Sequence, residues 1–536
     1  MRKPLDAWQP LPAERKLAEE MASGLIVQIG DGTLPPADLP LDDPRVIRTS
    51  FLRALILGHV RGHKPQDRGI RVQGAYLLGN GAREAETRGL DLEGYDLPAD
   101  IALIACRIPD LLLLRSARLG TVILNESDLG AGFAADRLVA RGSLLLRGLS
   151  ARGQLRLVSA RIEGDLDCSR GRLVPSGKDA TLDLDGADVG GSVFLRRLVS
   201  EGEVRLVGGS LKGDLDCSGA QFSAGRDGFA LSLNRARISG CLFLREGAPA
   251  SGIFDFSNAR IDQIADHPSA WPQLPGNLLL NGCRYGAFTG TGAGVDSAAR
   301  IRWLALQDES RWGAEFWPQP WEECARVLRE MGDGAAAREV LIEKEKRQRA
   351  ARRARVWRTG YHEDALWLHL WDRVLAVTVR YGRMPLLAMV WLAAAWFVGA
   401  LVFAEAQSRD ALKPNLPQIQ RAPEWVLCGA DAGQGVALAG QPPAQGLRVP
   451  GESRIACYHR QPEGAGHPRF NAAIYSADAL IPVVSLEMQS YWIPDDDLPF
   501  GAMARGYLWV HITAGWFLTL LAVAGFSGLI KTDNTT

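Results

Sequence analysis

Nothing in the bulk charge of the chain marks a partner. Its 536 residues carry 61 Lys and Arg against 61 Asp and Glu. Electrostatic recognition then has to come from local clusters, and no nucleic-acid partner is expected. The first twenty residues, MRKPLDAWQPLPAERKLAEE, lack an apolar stretch; no secretory leader is read there, and the N-terminus is expected in the cytoplasm. Motifs for chemistry are missing as well. The chain has no CxxC, no CxxCH haem attachment and no His–Cys cluster at metal-ligand spacing. The stretch IGDGTLPPAD (29–38) offers Gly30 and Gly32 but no third glycine, and Pro35–Pro36 follow where a helix should open. It is not a dinucleotide loop, although Leu25 to Val27 before it could form a strand. No catalytic, cofactor-binding or metal site follows from the sequence.

What is present begins with two long apolar runs. Leu386 to Ala404 holds nineteen residues without a charge, and Tyr507 to Ile530 holds twenty-four with one His, His511. Each is long enough to cross a hydrocarbon core of about 30 Å. Eight basic residues, Lys344, Lys346, Arg347, Arg349, Arg352, Arg353, Arg355 and Arg358, precede the first run. Arg380 and Arg383 sit just before it, and Lys531 follows the second. The intervening segment has no comparable cluster, so positive-inside places both termini in the cytoplasm and the segment outside. Six of the eight cysteines lie before the first run and are expected as reduced thiols. Cys428 and Cys457 lie in the outside segment. A disulfide there would close a loop of about thirty residues and contribute on the order of 3 kcal/mol.

Between about 70 and 290 the chain repeats itself. LRLVSARIEGDLDC (155–168), LDLDGADVGGSVFL (182–195), VRLVGGSLKGDLDC (204–217) and LSLNRARISGCLFL (231–244) align without gaps. Their central apolar residues, Ile162, Val189, Leu211 and Ile238, are 27, 22 and 27 apart, the longer steps carrying polar inserts at 174–179 and 223–228. Upstream the beat falls about every eleven residues, at Ile108, Leu119, Leu129, Ala140 and Ala151. A beat of eleven paired into coils of about 22 is a solenoid signature. Alternation within each run predicts strands of two or three residues, with small residues and glycines at tight bends. The expected fold is mainly β: a right-handed β-helix. The carboxylates Asp165, Asp167, Asp214 and Asp216 are expected on its solvent side, and Cys168 and Cys217 in its core, since Leu195 and Leu244 fill the same frame position.

A small residue two places before a central Leu or Ile resembles pentapeptide-repeat proteins, though the steps of four and six depart from a strict five. The whole layout resembles a family of bacterial membrane proteins that join such a repeat region to a helical linker and two C-terminal spans. The matching stretches are RVIRTSFLRALILG (45–58), the GDLDC coils, WEECARVLREMGDGAAAREVLIEKEKRQR (321–349), WDRVLAVTVRYGRMP (371–385) and AIYSADALIPVVSLEMQSYW (473–492). Members are often labelled membrane-associated oxidoreductases. The resemblance implies a bacterial inner-membrane location; the oxidoreductase activity it implies has no motif here to carry it.

The expected organisation is a helical N-terminal cap (1–70), with helices over Ala13–Ala22 and from Asp42–Pro44 through Ile47 and Leu55, then the β-helix (71–290). A helical hairpin linker with the basic run follows (291–358), then an amphipathic interfacial helix (359–385). The first transmembrane helix (386–404), an outside loop domain (405–506), the second transmembrane helix (507–530) and a cytoplasmic tail (531–536) complete the chain. The apolar run SADALIPVVSLEM (476–488) is too short to span and reads as re-entrant, interfacial or a small buried element outside. The basic run is expected to hold anionic lipid, with Glu345 its one offsetting charge. His511 reads as a relay, a ligand or a hydrogen-bonded neighbour of another helix. Three functions fit: a membrane-held scaffold presenting the β-helix to an unknown cytoplasmic protein, a pore-like homo-oligomer, and an oxidoreductase.

Overall fold

A computed structural model describes residues 2–65, 67–79, 89–175, 177, 180–247, 251–290, 296–309, 315–431, 435–436, 442, 444–445 and 447–527. The tail 531–536, Lys531 and the end of the second apolar run lie outside the described residues. The chain divides into two units, Met1–Ala351 and Arg352–Thr536.

The first unit is a parallel β-solenoid of about eight turns. A single coil is traced by four two-residue strands, Leu155–Arg156, Arg161–Ile162, Leu166–Asp167 and Arg172–Leu173. Each pairs with the equivalent strand one coil on. Ile162 sits against Val189, Val189 against Leu211, and Leu211 against Ile238. The beat of eleven separates into two columns: Ile108, Leu129 and Ala151 share one sheet, while Leu119, Ala140 and Ile162 share another. These residues are fully buried, and each large aliphatic side chain so placed stabilises the stack by about 1.5–3 kcal/mol.

The corners differ from the expectation in one respect. The left-handed residue is the one before each small position, Ser159, Gly186, Gly208 and Arg235, and serine or arginine serves there as well as glycine. The frame glycines serve close approach between coils instead. A Cβ on Gly191 would meet the Asp165 carboxylate at 2.1 Å.

The N-terminal region is less helical than expected. Helix α1 is Pro12–Glu20 and α2 is Thr49–Ile56. Val27–Gln28 and Val46–Arg48 are strands in register with Val72–Gln73 and Tyr76–Leu78. The solenoid sheets therefore begin well before residue 71, and Ile47, expected on a helix, is in a strand. The hydrophobic pattern is the same; the β-branched Val46 and Ile47 beside an available sheet edge decide the local structure. Glu14, fully buried, ties α1 to the second of these strands through Arg48 at 2.6 Å.

After Phe288 the sheet ends. Helices α3 (Ser297–Leu304), α4 (Pro318–Glu330) and α5 (Gly334–Arg358) follow. Trp321, Cys324 and Leu328, three and four residues apart on one face of α4, are buried, whereas Met331 just past its end is exposed. Asp266 and Arg300 form a fully buried pair at 2.6 Å that joins the last coils to α3.

The second unit begins within α5, at Arg352. It holds α6 (His362–Thr378) and two helices long and apolar enough to cross a membrane, α7 (Leu386–Ser408) and, further on, Pro499–Phe526. Between them lie α8 (Pro423–Leu427), α9 (Arg454–Arg460) and α10 (Ala472–Leu480); Pro499–Phe526 is then α11. It begins eight residues before the apolar run at Tyr507, because Pro499 opens the helix. Leu412–Pro414 pairs antiparallel with Trp492–Pro494.

Candidate functional site

Four groups of residues were singled out by the sequence, and the structure treats them differently. In the basic run, Lys344 is buried, donating to Glu322 at 2.8 Å and lying 3.7 Å from Glu345. It is a structural charge and cannot also reach lipid; its assignment to a lipid-binding set is corrected. Glu345 is not the one offsetting charge either. Arg347 pairs with Glu343 at 2.9 Å, Lys346 with the same carboxylate at 3.3 Å, Arg349 with Glu345 at 3.6 Å, and Arg353 with the buried Asp372 of α6. Helical spacing brings acids three and four residues away onto the basic face, and α6 supplies another. Lys346, Arg352, Arg355 and Arg358 are exposed. On α6, Leu366, Trp367, Leu370 and Trp371 also point outward.

Cys428 and Cys457 form the expected disulfide, with Cα atoms 5.8 Å apart. It links the end of α8 to α9. The six other cysteines are buried. Burial pushes the Cys106 and Cys324 thiols up to about 12 and Cys168, Cys217 and Cys283 higher still. Protonated and enclosed, these thiols are core residues rather than nucleophiles.

The solenoid carboxylates are engaged rather than left to solvent. Asp167 and Asp216 are buried and accept from Arg147 and Arg196, each at 2.5 Å. Burial works against the charged form of each, but hydrogen bonds from Ser169 and Arg147, or Ser218 and Arg196, hold both below the ordinary carboxylate range. Asp165 and Asp214 accept the backbone N–H groups of Ser192 and Cys241 one coil on, both at 2.8 Å. All four fasten coil to coil. Alternation places Asp167 and Asp216 outward, each between two buried core residues; what it does not show is the arginine of the preceding coil that covers each one.

His511 anchors the most organised polar centre of the second unit. It lies midway along α11 and is buried. Its Nε2 is 3.1 Å from the Ser476 carbonyl oxygen and 3.2 Å from Ser476 Oγ, and its Nδ1 is 3.3 Å from the Tyr507 hydroxyl. A carbonyl can only accept, so Nε2 carries the proton. Ser476 Oγ donates to the Trp396 carbonyl at 2.8 Å and is left to accept from Nε2. Tyr507 then donates to Nδ1. Every polar atom is satisfied with a neutral imidazole, as a low-dielectric site requires. Gly399, midway along α7, makes the approach possible: a Cβ there would meet Ser476 Oγ at 2.3 Å and His511 Cε1 at 2.6 Å.

The sequence did not bring Ser476 or Gly399 to this centre. Helix α10 starts at Ala472, four residues before the apolar run at Ser476, and the Asn471 carboxamide caps it by accepting from Ala473 and Ile474 at 3.0 and 3.1 Å. It packs between α7 and α11, and the Leu480 carbonyl lies against Gly515. Past Ile481, Pro482 ends the helix. The Asp478 carboxylate holds the returning chain, accepting from Leu486 at 2.6 Å and Gln489 at 2.8 Å. Around this bend Ile481, Val483, Val484 and Leu486 are exposed.

No group of three or more His, Cys, Asp and Glu positioned for a metal ion occurs among the described residues. Comparisons with protein-family profiles, curated proteins and solved structures give no match.

Proposed function

We propose that this chain is a two-pass protein of a bacterial inner membrane, of the pentapeptide-repeat-like family it resembles. In this reading it presents a right-handed β-helix, closed at one end by its N-terminal helices, to a cytoplasmic protein partner. The observation that carries the reading is the solenoid: coils in register repeat the same outward positions along one long surface. Such a surface suits recognition of an extended partner. A photo-crosslinking residue placed in cells at outward positions such as Lys212 or Arg172 should give discrete heavier adducts. Absence of adducts from every outward position would contradict the reading.

A second reading, a pore-like homo-oligomer, draws on α10. A short helix held against the midpoints of two apolar helices, with an exposed apolar bend, is the geometry of a re-entrant segment. The mass of detergent-purified protein separates the two: a ring is a multiple of the 58.2 kDa chain, whereas a scaffold needs no ring. The absorbance of the same sample tests the oxidoreductase reading, which requires a bound flavin, haem or nicotinamide.

A further inference from the structure

Along most of the solenoid, arginine is matched by acid. Arg147 meets Asp167, Arg196 meets Asp216 and Arg205 meets Asp185, each at 2.5 Å, and Arg161 meets Asp188 at 3.5 Å. The last coils break the pattern. Arg237 pairs in register with Arg260, and Arg260 with Arg284. Neighbouring strands are about 4.8 Å apart, so three guanidinium stems rise in one outward column roughly 10 Å long. All three side chains are exposed. No hydrogen bond or ion pair to another described residue engages any of them. Like charges directly opposite one another on a sheet destabilise it, so the column is a cost that the rest of the fold avoids.

The column lines an open groove of about 590 Å³ with Asp262, Tyr285, Glu323 and Arg326. Arg326 is already committed: it donates to Glu323 at 2.7 Å, Glu330 at 2.5 Å and the Tyr285 carbonyl at 2.7 Å. Glu323 is neutralised in the same pair. Among the lining residues four arginines face two carboxylates, and the uncommitted positive charge is concentrated on the column.

We propose that Arg237, Arg260 and Arg284 form a binding site for a soluble ligand carrying several phosphoryl groups in a row. Guanidinium groups bind phosphate oxygens through paired N–H donors. A column three rungs long is matched by repeated negative charge, not by a single small anion. The site is independent of the scaffold reading.

Calorimetric titration of the detergent-purified full-length protein with inorganic tripolyphosphate tests it. One ligand per chain is expected, binding at least tenfold more tightly than sulfate. Replacing all three arginines by Gln should weaken tripolyphosphate at least tenfold, and Arg260→Gln alone at least threefold. Arg118→Gln with Arg141→Gln, at the far end of the same sheet, should leave binding unchanged. Without ligand the triple variant should melt no lower than the parent, because repulsion is relieved. If the triple variant melts lower, Arg260→Gln alone decides. Unchanged affinity in that variant, or sulfate binding equal to tripolyphosphate (an adventitious ion only), would overturn the site. Vesicles containing phosphatidic acid form the control arm. Arginine-dependent binding to them, with no response to tripolyphosphate, would assign the column to a lipid surface and refute a soluble ligand.

Discussion

Lys344 and Arg352 stand on one helix and answer to different forces. Lys344 is buried between half-exposed Glu322 and buried Glu345, so removing it takes a countercharge from a carboxylate that lost water on folding. Lys344→Ala should cost about 3 kcal/mol, read as a lower denaturation midpoint. Arg352→Gln, on an exposed residue, should change stability by less than about 0.5 kcal/mol. If the exposed basic residues serve lipid, the protein should melt higher in nanodiscs of anionic lipid than of neutral lipid, and Arg352, Arg355 and Arg358 together changed to Gln should erase that difference. A difference that survives the triple change would reduce the run to a topology signal. His467 carries a pH dependence. It is packed against Trp492 and Tyr491 at 5.0 and 5.5 Å, and burial, then neighbouring His459, lower its pKa. The unfolded chain, with an ordinary value of about 6.5, therefore binds the proton first. Stability should fall as pH drops below about 6.5. In His467→Phe that loss should shrink, and melting curves between pH 8 and 5 that superimpose for the two proteins would refute it.

At the scale of elements, the solenoid was legible because its signal is periodic. Each coil needs one buried aliphatic residue per side, and Ile162, Val189, Leu211 and Ile238 report the register directly in their spacing. The N-terminal strand Val46–Arg48 was not legible. Three residues set no period, and only the sheet edge at Tyr76–Leu78 makes them a strand. Asp167 and Asp216 alternate outward as expected, but the arginine one coil back that covers each is invisible to alternation. The pair Asp266–Arg300, 34 residues apart, leaves no local trace at all. His511 was visible as an ionisable residue in an apolar run, but Ser476 and Gly399, which complete its site, are ordinary residues in their own segments. Gly399→Ala tests that packing. The added methyl has no room, and an overpacked contact costs about 1–3 kcal/mol; an unchanged melting temperature in detergent would show that α7, α10 and α11 do not meet there. The disulfide is testable in the same unit. Non-reducing mass analysis should recover the Cys428 and Cys457 peptides joined, and changing both to Ser should destabilise the segment by about 3 kcal/mol. Alkylation of both thiols in protein taken directly from cells would contradict the bridge.

For the whole molecule, the two units present different surfaces. The first covers its aliphatic columns with ion-paired rows. The second leaves Val390, Phe397 and Leu401 of α7 and Trp509, Leu520 and Val523 of α11 exposed, an arrangement suited to hydrocarbon. The proposed topology puts the solenoid on one side of that hydrocarbon and the disulfide segment on the other. The cysteines make this testable without background, since six are buried and two are bridged. Lys212→Cys places a thiol on an outward face of the solenoid, and Gln418→Cys places one on the segment between α7 and α11, both at exposed positions. In sealed right-side-out membranes, a membrane-impermeant maleimide should label Gln418→Cys at once and Lys212→Cys only after detergent is added. Labelling of Lys212→Cys in the sealed preparation, or protection of Gln418→Cys there, would contradict the account.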